Sequence, residues 1–515
     1  MRILALLTLS GALTAVSYGQ GQTDIQIRGQ EVRYISGKTV YIEALAGDRW
    51  VGRYWNAEGR MEGPGEPWDD DAFGIRIKDT PSPATTPGTL LSTGWQWVSA
   101  SELPKTERGA RHAVVELSNI LLPIKLKIHT LLDGTPILTR WLEITNNAPK
   151  PVALTELFPW SGRLWAEEAP ITLGHSATWD CFSEAWFDWT RLKPGTSVFK
   201  NDKGLVWDDP YFVLRNEASG EYFFGQLAWS VNYEMEFQRE KGLTFKVGPT
   251  AVNALRVMAP GETITTPAVH LGPVKQDFDA AVQAMHEHIR RTVLPRRKPE
   301  KSFLIQYLFP EDQGWTVYQG DDYNEANVMK CMDVAAAAGL EVFIVDGPSW
   351  AEGTLPGEQV QGPFGNWVPR KKWFPRGFDP LVDHAHKKGL LFGLYAEPEG
   401  GRGDWTQTEA FKKHPEWFVP RRPMFPGPNF LNISYSGAAA YMESELNHII
   451  EDYKLDLYRH DQNGTEGGEG SETLRYGFLE NDYWRHYEAL WAIFERIHQK
   501  YPDLILQQAS AGGAR

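Results

Sequence analysis

The stretch DPLVDHAHKKGLLFGLYAEPE, residues 379–399, holds a helix and a strand in one line. Asp379 to Lys388 predicts the helix, Gly389 stops it, and the apolar run Leu390 to Glu399 predicts a buried strand. The alternation continues on both sides. Upstream, Ser302 to Phe309 predicts a strand, and Asn324 caps a helix through Val328, Met332 and Ala335 to Gly339. Leu340 to Asp346 is the next strand. Downstream come a helix over Ala438 to Tyr453, a strand over Leu455 to Asp461, a helix over Tyr483 to Tyr501 and a strand over Asp503 to Ser510. Strand and helix alternating without exception predict a parallel sheet. About five strands are legible where a closed barrel has eight. Because the chain stops at Arg515, just after Gly512 and Gly513, the expectation is a (β/α)8 TIM-type barrel whose C-terminal part is missing.

Ahead of the barrel the period changes. Ile124, Leu126 and Ile128 alternate with Lys125, Lys127 and His129, and similar runs recur at Pro136 to Ile144, Val152 to Phe158, Tyr222 to Leu227, Leu243 to Val247 and Ala268 to Leu271. Period two broken by Gly, Pro and Asn predicts antiparallel strands, enough for a large sandwich closed by a helix over about Asp277 to Arg291. The basic run Pro295 to Pro299 marks a connector. The expected chain is therefore multidomain, β followed by α/β: a signal peptide over 1–20, a β-supersandwich over 21–294, a linker over 295–301 and the incomplete barrel over 302–515. Met1, Arg2 and Ile3, the apolar run Leu4 to Val16 and the small-residue exit Ser17 to Gln20 give the leader its pattern. That run is too short to cross a bilayer core of about 30 Å, so the expectation is export, to the periplasm or beyond, with no membrane partner after cleavage.

Lys and Arg number 52 against 66 Asp and Glu, a formal charge of -14 that disfavours nucleic acid and anionic membrane surfaces. The two cysteines, Cys181 and Cys331, fall in separate expected domains, which argues against a structural disulfide, and no Cys/His spacing suits a metal. No cofactor is implied. With 21 Trp and 19 Tyr the chain is rich in rings that suit sugar faces, although most rings fill cores.

In a parallel α/β domain functional groups collect at the C-terminal strand ends. Those ends lead to Asp312 and Trp315; to Asp346 and Trp350; to Tyr395, Glu397 and Glu399; to Arg459, His460, Asp461 and Asn463; and to Gln507, Ser510 and the final glycines. Carboxylates among aromatics, with no phosphate loop, point to glycoside chemistry, in which one carboxylate attacks the anomeric carbon and another protonates the departing oxygen. Bland roles compete at each position. Asp346 or Asp461 could cap a following helix, Glu397 and Glu399 lean towards packed structural groups, and His460 alternates with its neighbours and so predicts a core histidine between strand and helix.

At these residues the sequence resembles glycoside hydrolase family 36, the retaining α-galactosidases. Gly365-Asn366-Trp367 through Trp373-Phe374-Pro375 to Gly377-Phe378 resembles its Gly-Asp-Trp and Phe-Pro-x-Gly; Gly393 to Glu399 its Gly-Leu-Trp-x-Glu-Pro-Glu; and His414 to Trp417 its His-Pro-x-Trp. Leu431 to Ser434 stands where Leu-Asp-Leu-Ser is expected, Arg459 to Asn463 where Lys-Trp-Asp-x-Asn is, and Ser510 to Arg515 resembles Ser-x-Gly-Gly-x-Arg. The resemblance implies that Asp461 is the nucleophile, that Asp346 holds galactose hydroxyls, that Tyr395 replaces a stacking tryptophan and that Arg459 and Asn463 position the ring. Trp350, Trp367, Ser510 and Gly512 complete the implied binding set. Departures are informative: Gly347 stands where a second aspartate is expected, Arg459 replaces lysine, and Ala509 replaces a cysteine beside the sugar's second carbon, opening room for a 2-acetamido group. The family's acid/base aspartate would lie beyond Arg515, so the 515-residue chain is expected to be nearly inactive. An α-N-acetylgalactosaminidase and a non-catalytic exported sugar-binding protein are the alternatives. The implied partner is an oligosaccharide or glycoconjugate, and oligomer formation is compatible with it. Asn432 and Asn463 stand in glycosylation sequons, and a glycan on Asn463 would block the site, so a bacterial source is expected.

Overall fold

The computed structural model describes residues 21–61, 68–176, 187–202, 209–295, 305–309, 322–347, 350–352, 367–400, 405–420, 428–461 and 471–509. The expected leader, Cys181, Asp312, Trp315, Asn463, Ser510 and Gly512 lie outside them, as does most of the connector. Up to Val274 the strands of the described residues are all antiparallel. A ten-stranded sheet, running from Phe187–Arg191 at one edge to Trp95–Leu103 at the other, accompanies sheets of five, four and four strands. Residues from all four sheets, among them Trp50, Ile75, Leu126 and Val247, share one apolar core. The alternation at Ile124–Leu132 is realised directly, since Ile124, Leu126 and Ile128 are buried while Lys125 and Lys127 are exposed. The helix Phe278–Thr292, capped by Asp277 on the Ala280 amide, packs Ala281 and Met285 against Val213 and Phe224.

The second part is built on five parallel strands: β1 (Gln306–Phe309), β2 (Val342–Val345), β3 (Leu391–Ala396), β4 (Leu457–His460) and β5 (Ile505–Gln508), paired in chain order. Four helices follow strands: α1 (Glu325–Ala337), α2 (Asp379–Lys387), α3 (Ser436–Asp452) and α4 (Tyr483–Lys500). Asn324 caps α1 by accepting from the Asn327 amide at 3.0 Å. Gly389 ends α2 with φ +79°, a left-handed conformation that lets the Leu390 amide turn back to the Ala385 carbonyl at 2.9 Å.

Strand parity sorts the side chains. Tyr307, Phe309, Phe343, Val345, Phe392, Leu394, Ala396 and Tyr458 join the cluster that includes the helices. Val342, Ile344, Leu457 and Ile505, with Leu308 and Leu391, form a separate cluster on the other face. On that face Gln507 of β5 donates to Gln306 of β1 at 3.1 Å. Four spacings of about 4.8 Å would hold these outermost strands roughly 19 Å apart in a flat sheet, so the sheet curls as a barrel wall does.

The strict alternation expected from sequence is corrected in one respect. Between β3 and α3 lie a short helix, Glu409–Lys413, and the strand pair Phe418–Pro420 and Pro428–Leu431; between β4 and α4 lies the hairpin Glu472–Arg475 and Phe478–Asn481. That hairpin docks on the sandwich. The Ala254 amide donates to the Leu479 carbonyl at 3.1 Å, and the Asn481 amide returns a bond to the Ala254 carbonyl at 2.9 Å. Helix α4 joins the same contact. Trp484 belongs to the sandwich core, Arg485 donates to the Val257 carbonyl at 3.0 Å, and Arg256 pairs with Glu488 at 2.7 Å.

Candidate active site

Register brings the predicted residues together. Tyr395 on β3 pairs with Arg459 on β4, and Ala396 pairs with His460, so Glu397 and Asp461 are the next residues along two adjacent strands. Val345 on β2 pairs with Leu394, which places Asp346 level with Tyr395. Because successive side chains alternate, Asp346, Tyr395, Glu397, Arg459 and Asp461 share one face, the face that also carries Gln306 and Gln507. All four acid and phenol side chains are buried, with Asp461 5% exposed and Asp346 4%.

Backbone bonds fix the strand ends. The Asp346 amide donates to the Phe309 carbonyl at 2.6 Å, the Asp461 amide to Ala396 at 3.2 Å and the Ala509 amide to His460 at 2.8 Å. On the shared face Arg459 Nε lies 3.0 Å from Asp346 Oδ1. Tyr395 hydrogen-bonds Glu397; burial first, then the charges of Glu397 and Asp461, push its phenol well above the ordinary value, and Asp346 adds to this. Tyr395 therefore keeps its proton and offers a neutral hydroxyl among three carboxylates. Among the described residues three acids face one guanidinium, a setting that disfavours an anionic sugar and suits a hydroxyl-rich neutral one.

Trp350 and Trp367 sit elsewhere. Trp350 is fully buried, donates its indole N–H to the Tyr395 carbonyl at 2.8 Å and packs on Trp367, Phe378 and Tyr453. Trp367 is 1% exposed and its carbonyl accepts from the Tyr453 hydroxyl at 2.6 Å. Both rings stand behind β3, supporting Tyr395 from its backbone side. His460 takes the outward orientation that parity predicts, with its ring edge-on to Phe494 of α4. Glu399 leaves the acidic face as well, bonding His460 and His486.

Two groups escape sequence reasoning. Tyr323 is buried against Phe309 and Trp373, and after burial the Asp346 charge is the main influence raising its phenol; its hydroxyl has no partner among the described residues. Its only signal is its place just before the α1 cap. His486 is buried on α4, far along the chain from Glu399, and nothing in its local sequence announces it. No group of three or more potential metal ligands occurs among the described residues, and no described helix is long and apolar enough to cross a membrane.

The family model described as Melibiase matches residues 263–515. The α-galactosidase AgaA of Geobacillus stearothermophilus is 24% identical over 347 residues, 64% of this chain and 45% of that protein. Mel36A of Lactobacillus acidophilus is 24% identical over 337 residues, 63% of this chain and 44% of its own length. The chain thus spans about half the length of the curated relatives it matches. The crystal structure of AgaA, a family 36 enzyme, superposes with a TM-score of 0.77 at 17% identity, covering 93% of this chain and 72% of that one. Variants of AgaA have been crystallised with raffinose and with stachyose.

Proposed function

Residues 263–515 match the melibiase family, glycoside hydrolase family 36, and from that premise we propose that the protein cleaves terminal α-galactosyl residues with retention, using Asp461 as nucleophile. The observation that carries this is the convergence of Asp346, Tyr395, Glu397, Arg459 and Asp461 on one face at the C-terminal end of a curled parallel sheet. An Asp461 oxygen attacks the anomeric carbon as the bond to the departing oxygen breaks, giving a glycosyl ester that water then opens. The proton for the departing oxygen comes from an acid to which none of these five side chains is assigned. Arg459, braced on Asp346, presents its remaining N–H groups to ring hydroxyls, and the neutral Tyr395 hydroxyl lies beside the nucleophile as a further hydroxyl partner. Family 36 relatives crystallised with raffinose and stachyose support neutral galactosyl oligosaccharides as the substrate class. A 2-fluoro-α-galactosyl donor is expected to label Asp461, and peptide mapping that finds the label on another carboxylate overturns the assignment.

A second reading has one observation in its favour. Ala509, buried at the end of β5 and bonded to the His460 carbonyl, places only a methyl group where the family carries a larger side chain. Side-by-side kinetics on aryl α-galactoside and aryl α-N-acetylgalactosaminide decide between the sugars. Export through the 1–20 leader belongs to the same proposal, and N-terminal sequencing of the secreted protein should begin near Gly21.

A further inference from the structure

We propose that Glu399, gripped between His460 and His486, is a positioning residue that aims Asp461; the proposal rests on the nucleophile assignment above. Glu399 Oε1 lies 2.6 Å from His460 Nε2 and Oε2 lies 2.6 Å from His486 Nε2, with all three side chains at most 2% exposed. A carboxylate sealed from water is tolerated when both its oxygens accept hydrogen bonds, and here each takes one imidazole N–H. The two rings must then carry their protons on Nε2. His460 Nδ1 is left to accept from the Tyr458 hydroxyl at 2.8 Å.

The consequence reaches the next residue. His460 is held by its ring on one side and by its carbonyl on the other, where the Ala509 amide donates at 2.8 Å. The peptide leading to Asp461 is thereby fixed at its start, and the Asp461 amide is fixed on Ala396. Glu399 is itself anchored, since its carbonyl accepts from the Leu431 amide at 2.9 Å. One carboxylate thus joins the end of β4, helix α4 and the strand pair near Leu431, on the helix side of the sheet and away from the sugar. Leucine, similar in size, cannot substitute. It accepts from neither ring, so both imidazoles lose the group that fixes them. His460 can turn its proton to Nδ1, where the Tyr458 hydroxyl accepts, but His486 Nδ1 faces no acceptor among the described residues, so its N–H would stay buried without a partner.

The test is made on enzyme produced from the complete gene. Glu399→Leu is expected to lower kcat by about 10²-fold, the scale of a misplaced reacting group, with KM changed less than about threefold. The rate at which a 2-fluoro-α-galactosyl donor labels Asp461 should fall by the same factor. A second pair separates hydrogen bonding from packing and stands if Glu399→Leu fails to fold. His486→Gln keeps a nitrogen donor at the Nε2 position and should retain kcat within about threefold, whereas His486→Leu should behave like Glu399→Leu. Wild-type kcat in Glu399→Leu and His486→Leu overturns the clamp, and so does equal damage in His486→Gln and His486→Leu. A wild-type enzyme that is labelled elsewhere than Asp461 overturns the nucleophile assignment and the clamp with it, whereas correct labelling with unchanged variants overturns the clamp alone.

Discussion

Asp461 and Arg459 leave one strand on one face, and their chemistry divides accordingly. Asp461→Asn keeps shape and removes the proposed nucleophile; on that proposal kcat on an aryl α-galactoside should fall by more than about 10³-fold while galactose binding by calorimetry changes little. Arg459→Lys keeps charge but loses the Nε contact 3.0 Å from Asp346, and on the proposed role of Arg459 a compact ammonium grips the acid and the sugar hydroxyls less well than the planar fork around which this site is built. KM is expected to rise about tenfold, or ~1.4 kcal/mol, with kcat less affected. At this scale the sequence was informative about which candidate residues share a strand end, because register and parity place Asp346, Tyr395, Arg459 and Asp461 without knowledge of side-chain contacts. It was silent on Tyr323 and on the bond between Glu399 and His486, which join residues distant in the chain through geometry that only the folded helix α4 creates.

Elements show the same division. Helix α2 and strand β3 were legible because a glycine stop separates two apolar patterns of different period, and the structure shortens the expected strand from Glu399 to Ala396, where Pro398 could donate no ladder bond. The hairpin Glu472–Asn481 was not legible: its residues alternate weakly, and it docks on Ala254 of the other domain. Inside the sheet, Gly393 carries a prediction. A Cβ there would lie 2.8 Å from Ile344 Cγ1 and 3.2 Å from Leu457 Cδ2, on the face two residues before Tyr395. Gly393→Val should therefore overpack the wall, lowering stability in urea unfolding by about 1–3 kcal/mol and reducing activity by displacing Tyr395. Unchanged unfolding would show that the wall has slack the structure does not display.

Across the whole molecule, α4 ties the domains, with Trp484 in the sandwich core and His486 on Glu399, so damage to the sandwich is expected to reach the site. Acid is the gentlest such damage. His270 is buried between Thr139 and His288, and burial, then the neighbouring imidazole, lower it from its ordinary value to about 3; His112, half-buried, is lowered to about 4. A histidine depressed in the folded state binds its proton more tightly when unfolded. Its contribution to stability is therefore complete above pH ~6.5 and is lost as pH falls towards the folded values. Carboxylates held low, such as Asp133 beside His288, enter only below pH ~4, whereas Glu221 and Asp482, raised by burial, act in the opposite sense. The measurement that isolates the histidine is thus a difference: Tm by calorimetry from pH 7 to 4.5 for wild type and for His270→Gln. The wild type should lose at least about 2 °C more than the variant over that range. Parallel curves would mean that His270 titrates alike in the folded and unfolded chain, and that its burial in the sandwich is relieved before the domain unfolds.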